Sequence, residues 1–326
     1  MHVRRGALGW GVFLILAGAI PLAVRAGILS EAQVSDLWTL WPMILIGLGI
    51  GLLLARTRVA FLGGLIVAAT FGIMVGGLLS VGLGGAGLTG GICGSPDNAS
   101  AFPAQSGSFA TDTAAIDVET DCSDLRIATA PGTGWNVSGM DEDAPKIEAS
   151  GSALRVRSSD GQALPFFAAR STWQLTAPAD VAIGLRVSLS AGTANVDLAG
   201  ATIGTAVFDL NATSATVDLG SVKALHQLQV ALNGGTARIT LPNMSLTGSI
   251  EANAGAARLC IPDGAGLRLE TSGSVVASYD YADHGLVKVG TVWTTPGYET
   301  AAVQIDLRTE GNAAAFTLDP EDGCDG

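Results

Sequence analysis

At 326 residues the chain is long enough for two domains, and with charged residues at only 14% and a mean hydropathy of +0.43 it is too apolar for an ordinary soluble protein. The formal net charge is −12, yet up to Ile92 the basic Arg4, Arg5, Arg25, Arg56 and Arg58 outnumber Glu31 and Asp36, a net of +3 that leaves −15 for the rest. A remainder that acidic is repelled by polyanions, which removes nucleic acid from the expected partners.

Residues 1–91 hold three apolar stretches, Trp10 to Val24 with its flanks, Leu40 to Ala55 and Val59 to Leu83. Each approaches or exceeds the ~20 residues that span a bilayer, so the expected fold of this region is three transmembrane helices in contact with membrane lipid. The first lacks a small-x-small cleavage site before Glu31, so it is not expected to be removed as a signal peptide. Pro21 should kink or end that span, and Trp38 and Trp41 suit an interfacial aromatic belt. Arg4, Arg5, Arg56 and Arg58 place the N-terminus and second loop in the cytoplasm by the positive-inside rule. Three spans then put the C-terminal part outside. Gly47-x-x-x-Gly51 and Gly72-x-x-x-Gly76 let helix backbones approach, for packing within the chain or for a homo-oligomer. No acidic residue falls inside a span, which disfavours an ion path and therefore transport.

From Gly84 to about Ser108 the chain turns rich in Gly, Ser, Ala and Pro, and a flexible linker is expected over residues 92–112. A β-repeat domain follows over 113–320. Its clearest stretch reads Ala194-Asn-Val196-Asp-Leu198, Ala215-Thr-Val217-Asp-Leu219, Ala237-Arg-Ile239-Thr-Leu241 and Ala257-Arg-Leu259-Cys-Ile261, with the alanines 21, 22 and 20 residues apart. Alternation of apolar and polar residues marks a half-buried strand, and a near-constant return length stacks each strand on the last, so a single-stacked β-solenoid is expected. The first interior column then has room only for a methyl, and branched side chains fill the other two. Between the repeats stand Asn211-Ala-Thr, Asn233-Gly-Gly and Asn253-Ala-Gly, residues that tolerate left-handed backbone at corners. The pattern starts earlier, at Ser123-x-Leu125-x-Ile127 and Ser152-x-Leu154-x-Val156, and ends later, at Ala314-x-Phe316-x-Leu318. The irregular pieces Ala163 to Pro178 and Tyr279 to Tyr298 are expected as loops and end caps, and 321–326 as an acidic tail.

The segment Leu40-Trp-Pro-Met-Ile-Leu-Ile-Gly-Leu-Gly-Ile50 resembles the transmembrane region of LiaI- and LiaF-type bacterial proteins. Blocks such as Leu189-Ser-Ala-Gly-Thr-Ala-Asn-Val-Asp-Leu198 resemble the adhesin-type, or toastrack, β-repeat domains that often accompany it. The resemblance implies a non-enzymatic bacterial cell-envelope protein that modulates stress signalling, with a membrane sensor kinase as a partner. A surface-displayed structural or adhesin-like module is the alternative.

All four cysteines, Cys93, Cys122, Cys260 and Cys324, follow the apolar region, which suggests disulfides in an oxidising compartment. Alternation puts Cys260 in the outward column with Asp197, Asp218 and Thr240, so its partner should be something crossing the surface: the tail through Cys324 or the linker through Cys93. If rung order follows the sequence, Cys122 lies several layers away, beyond the ~7 Å Cα limit. Cys260–Cys324 is then the expected bond, with Cys93–Cys122 for the remaining pair.

Chemistry is sparse. His2, His226 and His284 form no metal-spaced pair, and no cofactor is expected. His284 after Asp280-Tyr-Ala-Asp283 has the elements of a general base, but an exposed loop is the plainer reading. Asp141-Glu-Asp143 and Asp319-Pro-Glu-Asp322 lack the spacing of a calcium loop and read as solvated turns. The Asn-x-Ser/Thr triplets at Asn98, Asn136, Asn211 and Asn243 are treated as chance.

Overall fold

The computed structural model describes residues 10–15, 45, 67–73, 93, 99–159, 170–273, 277–319 and 324. The chain divides into two compact units, Met1–Gly87 and Leu88–Gly326.

In the first unit, helix is described at 10–15, at Leu45 and at 67–73, with Trp10 edge-on to Phe13 at 5.5 Å. Among the described residues no helix is long and apolar enough to cross a membrane. That finding overturns the expected three-span helical region, and with it the multi-pass placement and the orientation read from the arginines. Of the four packing glycines, Gly72 is buried in helix 67–73, and Gly47, Gly51 and Gly76 lie outside the described residues.

The second unit is built of strands that join into one sheet wound on itself. In chain order these are β1 (Ser100–Ser108), β2 (Thr113–Ala130), β3 (Gly134–Asp141), β4 (Lys146–Ala149), β5 (Ala153–Arg157) and β6 (Ser171–Pro178). The middle of the unit has β7 (Ala182–Asp197), β8 (Thr202–Leu210), β9 (Thr213–Asp218), β10 (Ala224–Leu232), β11 (Gly235–Thr240) and β12 (Leu246–Cys260). Then come β13 (Gly266–Gly273), β14 (Ser278–Tyr279), β15 (Val287–Val289), β16 (Val292–Thr294) and β17 (Gln304–Leu318). Strand β1 lies inside the stretch whose composition suggested a linker.

A rung is either one long strand bent near its middle, as in β2, β7, β12 and β17, or a pair of shorter ones, as in β8 with β9 and β10 with β11. Parallel ladders run β7 to β8 and β9, on to β10 and β11, and on to β12. Over these rungs the repeat reading holds residue for residue, with Ala194, Ala215, Ala237 and Ala257 in one register and Val196, Val217, Ile239 and Leu259 in the next. All eight are buried, as are Leu198, Leu219 and Leu241, while Ile261 is partly buried.

Rung order departs from chain order at both ends. Strand β2 sits between β5/β6 and β7, and β17 sits between β12 and β13/β14. An unbroken stack following the sequence is therefore corrected: β2 and β17 each occupy the second rung from their end. The side chains follow the new order. Leu125, not Ser123, continues the alanine column, and Trp173 lies beyond it; at the other end Phe316, not Ala314, faces Ala257, and Tyr279 lies beyond Phe316. Trp173 and Phe316 are each 1% exposed, so a column of methyls is closed by an aromatic at either end. Sequence spacing could not show this, because the matching residues sit 59 positions apart (Ala257 and Phe316) rather than about 21.

Antiparallel strands cover the two ends: β3 and β1 on β6, β4 on β5, and β16 with β15 on β13. Much of the segment expected as one cap is thus a true rung, since β6 carries the buried Trp173 and Leu175. At the corners, left-handed angles fall just past the asparagines rather than on them, at Ala212 (φ 41°), Gly235 (φ 98°) and Gly255 (φ 117°). Glycine is required at Gly235 and Gly255 for a second reason: a Cβ would collide with the carbonyl oxygen of Thr213 or of Gly235 on the rung before.

Candidate functional site

Three features stand out: the disulfide seams, an asparagine corner and an uncharged strip across one sheet face. Cys122, within β2, is bonded to Cys93 with Cα atoms 5.5 Å apart, and both are buried against Ala191. Cys260 is bonded to Cys324 with a Cα separation of 5.4 Å. Its register with Thr240, Asp218 and Asp197 puts it in the outward column, where the bond covers it to 4% exposure. The end of β17 is held further by Ile261 N donating to Asp319 Oδ1 (2.7 Å), Asp319 N donating to the Leu259 carbonyl (2.8 Å) and Leu318 N donating to Asp280 Oδ1 (3.0 Å).

The corner asparagines form a ladder. Asn233 Nδ2 donates to Asn211 Oδ1 at 2.7 Å, Asn253 to Asn233 at 2.6 Å, and Asn312 to Asn253 at 2.5 Å. Glu251 accepts the second Asn253 hydrogen at 3.1 Å. Asn312 escaped the repeat reading because β17 enters the stack out of order.

On the sheet face that β8, β10 and β12 share with the rungs on either side, ion pairs link neighbouring rungs: Arg155 of β5 with Asp117 of β2 at 3.2 Å, Arg186 of β7 with Asp209 of β8 at 2.9 Å and Arg268 of β13 with Asp306 of β17 at 2.8 Å. Between them lies a centre without charge, where Thr205, Gln227 and Thr247 share one register and Val207, Gln229 and Ser249 another. Around the bend, Asp124 accepts from Arg170 Nη2 and from Thr193 Oγ1, each at 2.6 Å. Burial alone would raise that carboxyl, but those hydrogen bonds and the guanidinium charge hold it below the ordinary carboxylate value. Asp141 goes the other way: burial raises it, although Trp173 Nε1 donates to it at 2.9 Å.

The candidates for chemistry fall into structural roles or stand apart. His284 Nε2 lies 3.6 Å from Asp280 Oδ2, but Asp280 is the carboxylate that anchors Leu318 N. His226 is exposed on β10, and His2 and Asp322 lie outside the described residues. No group of three His, Cys, Asp or Glu among the described residues could hold a metal ion. Near the C-terminal end, Tyr279 stacks on Phe316 at 5.3 Å and Tyr281 meets Trp293 edge-on at 5.9 Å. Burial drives the Tyr281 hydroxyl far above its usual value, so it stays neutral.

No family model matches the chain, and no curated protein matches it in sequence. Among solved structures it is similar to a Clostridium sporogenes protein assigned to cell adhesion, at 14% identity and a TM-score of 0.44, over 66% of this chain and 98% of that one. It is also similar to a Bacteroides fragilis protein assigned as an adhesin, at 8% identity and a TM-score of 0.28, over 69% of this chain and 99% of that one.

Proposed function

We propose that this chain is a non-enzymatic, adhesin-like structural module, a disulfide-stapled rod that meets its target through a flat face in an oxidising compartment. The observation that carries the reading is the use of the outward charges. Asp117, Asp209 and Asp306 each hold an arginine of the adjoining rung, which stiffens the stack and leaves the Thr205, Gln227 and Thr247 strip as a level surface of hydroxyls and amides. Catalysis needs titratable groups converging on one space, and here the carboxylates bind the scaffold instead. Two disulfides suit a compartment that keeps them oxidised. Cells displaying the full chain should adhere to hydroxylated glass, and the exposed-face variants Gln227→Arg and Thr247→Arg should lose that adherence at unchanged display. Equal adherence by variants and parent would end the proposal.

A second reading, regulation of envelope-stress signalling through a sensor kinase, draws its support from the resemblance at Leu40–Ile50, of which only Leu45 is among the described residues. Capture of a histidine kinase with the full chain would favour it, and repeated capture without one would remove it.

A further inference from the structure

We propose that β17 is an exchangeable strand whose partner is a second copy of this chain, and that the Cys260–Cys324 bond keeps it in its own stack. The argument begins with register. Strands β12 and β13 do not touch, yet through β17 Leu246 aligns with Leu267, Gly248 with Leu269, Ile250 with Thr271 and Ala252 with Gly273. Every one of these offsets is 21 residues, which matches the 20 to 22 separating rungs that do touch. β12 and β13 are therefore consecutive repeats held one layer apart by a strand from the far end of the chain. The place that β17 fills is a slot between two units built to neighbour each other.

Simple withdrawal into water is ruled out by what β17 buries: Ile305, Leu307, Phe316 and Leu318 are each at most 1% exposed. The same slot in a second copy restores every one of those contacts, because an exchanged element meets an identical environment. The connection from β16 to β17, residues 295–303, is a surface segment with one short 3-10 turn at Tyr298–Thr300, and it can serve as the hinge. While the staple is closed, exchange is blocked. Cys260 belongs to β12, which stays, whereas Cys324 follows β17, which would leave. A dithiol opens it in a two-electron exchange, taking up the disulfide bond as its own ring and leaving two protein thiols; oxidised glutathione re-forms a protein disulfide with release of two glutathione thiols. In an exchanged pair the re-formed bond joins Cys260 of one copy to Cys324 of the other. The other bond behaves differently. Cys93 and Cys122 both lie at the N-terminal side and travel together, so exchange of β17 leaves that disulfide within one copy.

The experiment uses equal amounts of full chain at natural and heavy nitrogen isotope, mixed, reduced with dithiothreitol without denaturant, reoxidised with oxidised glutathione and mapped as disulfide-linked peptides. Mixed-isotope Cys260–Cys324 peptides should rise toward half of the total, Cys93–Cys122 peptides should stay single-isotope, and an unreduced mixture should show no mixing. Single-isotope peptides at both bonds would overturn the proposal, and so would mixing at both, which marks scrambling of unfolded chain. The Cys260→Ser/Cys324→Ser variant supplies a second reading by sedimentation, with the other disulfide intact. A dimer with retained strand signal supports exchange; a folded monomer, or an unfolded chain, overturns it. Adherence and isotope mixing are separate readouts, so the adhesive reading and strand exchange can fail independently.

Discussion

The central rungs and the two ends of the solenoid obey different rules. From β8 to β11 every rung rests on the one about 21 residues before it, and its interior columns carry alanine and branched aliphatics. At the ends, β2 and β17 enter out of chain order, the column fills with Trp173 and Phe316, and disulfides tie β2 to Cys93 and β12 to Cys324. The centre therefore pays its ordering entropy through short loop closures, while the ends close long ones and need large buried side chains and covalent bonds to hold.

That contrast is tested most severely at the aromatics. Phe316→Ala should cost about 3–5 kcal/mol in urea unfolding, and Trp173→Ala a similar amount, because each empties a fully buried place that no smaller neighbour can fill. A loss under about 1 kcal/mol at both would mean that the ends are loosely attached and the comparison is mistaken. In the centre the danger is excess volume rather than loss. Ala237→Leu should destabilise by about 1–3 kcal/mol, whereas Thr216→Leu, one residue along the ladder and facing out, should stay within about 0.5 kcal/mol. Equal effects would exchange the two faces of the rung.

The corners are predicted to be nearly as sensitive. Gly255→Ala combines a left-handed angle with a collision at the Gly235 carbonyl, so about 1–3 kcal/mol is expected, clearly more than at Gly200, which is left-handed (φ 72°) with open space around it. A smaller effect belongs to the amide ladder. Asn233→Ala should cost about 0.5–1.5 kcal/mol and speed amide exchange at the flanking corners, since it breaks the chain of amides in the middle. Unchanged exchange rates would show the ladder to be ornamental.

The smallest effect is electrostatic. Asp124 is held below its unfolded value of about 3.9, so its contribution is present above that pH and disappears as pH falls through the lower folded value. Asp124→Asn should therefore flatten the acid limb of the stability profile below about pH 4 and leave the alkaline limb alone. Its side chain is 37% exposed, so solvent screening keeps the change small; an altered alkaline limb would point to another group.

The repeats themselves were legible because alternation and return length are local properties. Ala194 to Ile261 could be laid into columns from the sequence, and the columns are those of the structure. The outward place of Cys260 followed from the same parity. The corner triplets were legible too, but not which residue in each takes the left-handed angle, since asparagine and glycine both tolerate it and only the close approach of the Thr213 and Gly235 carbonyls requires Gly235 and Gly255. The ion-paired face was not visible either, because Arg186 and Asp209 are paired by stacking and not by proximity along the chain.

The three spans expected from apolar length were not met, since among the described residues no helix is long and apolar enough to cross a membrane. The sequence by itself determined the strand period, the repeat length and the face on which each residue of the central rungs lies, because these follow from backbone geometry over a few residues. Tertiary structure alone decided where β2 and β17 insert, and therefore which aromatics close the alanine column and which cysteine seams cover the surface. A repeat specifies how each unit stacks on its neighbour but not which unit arrives to fill the place, and that choice rests on long-range packing that no local pattern records.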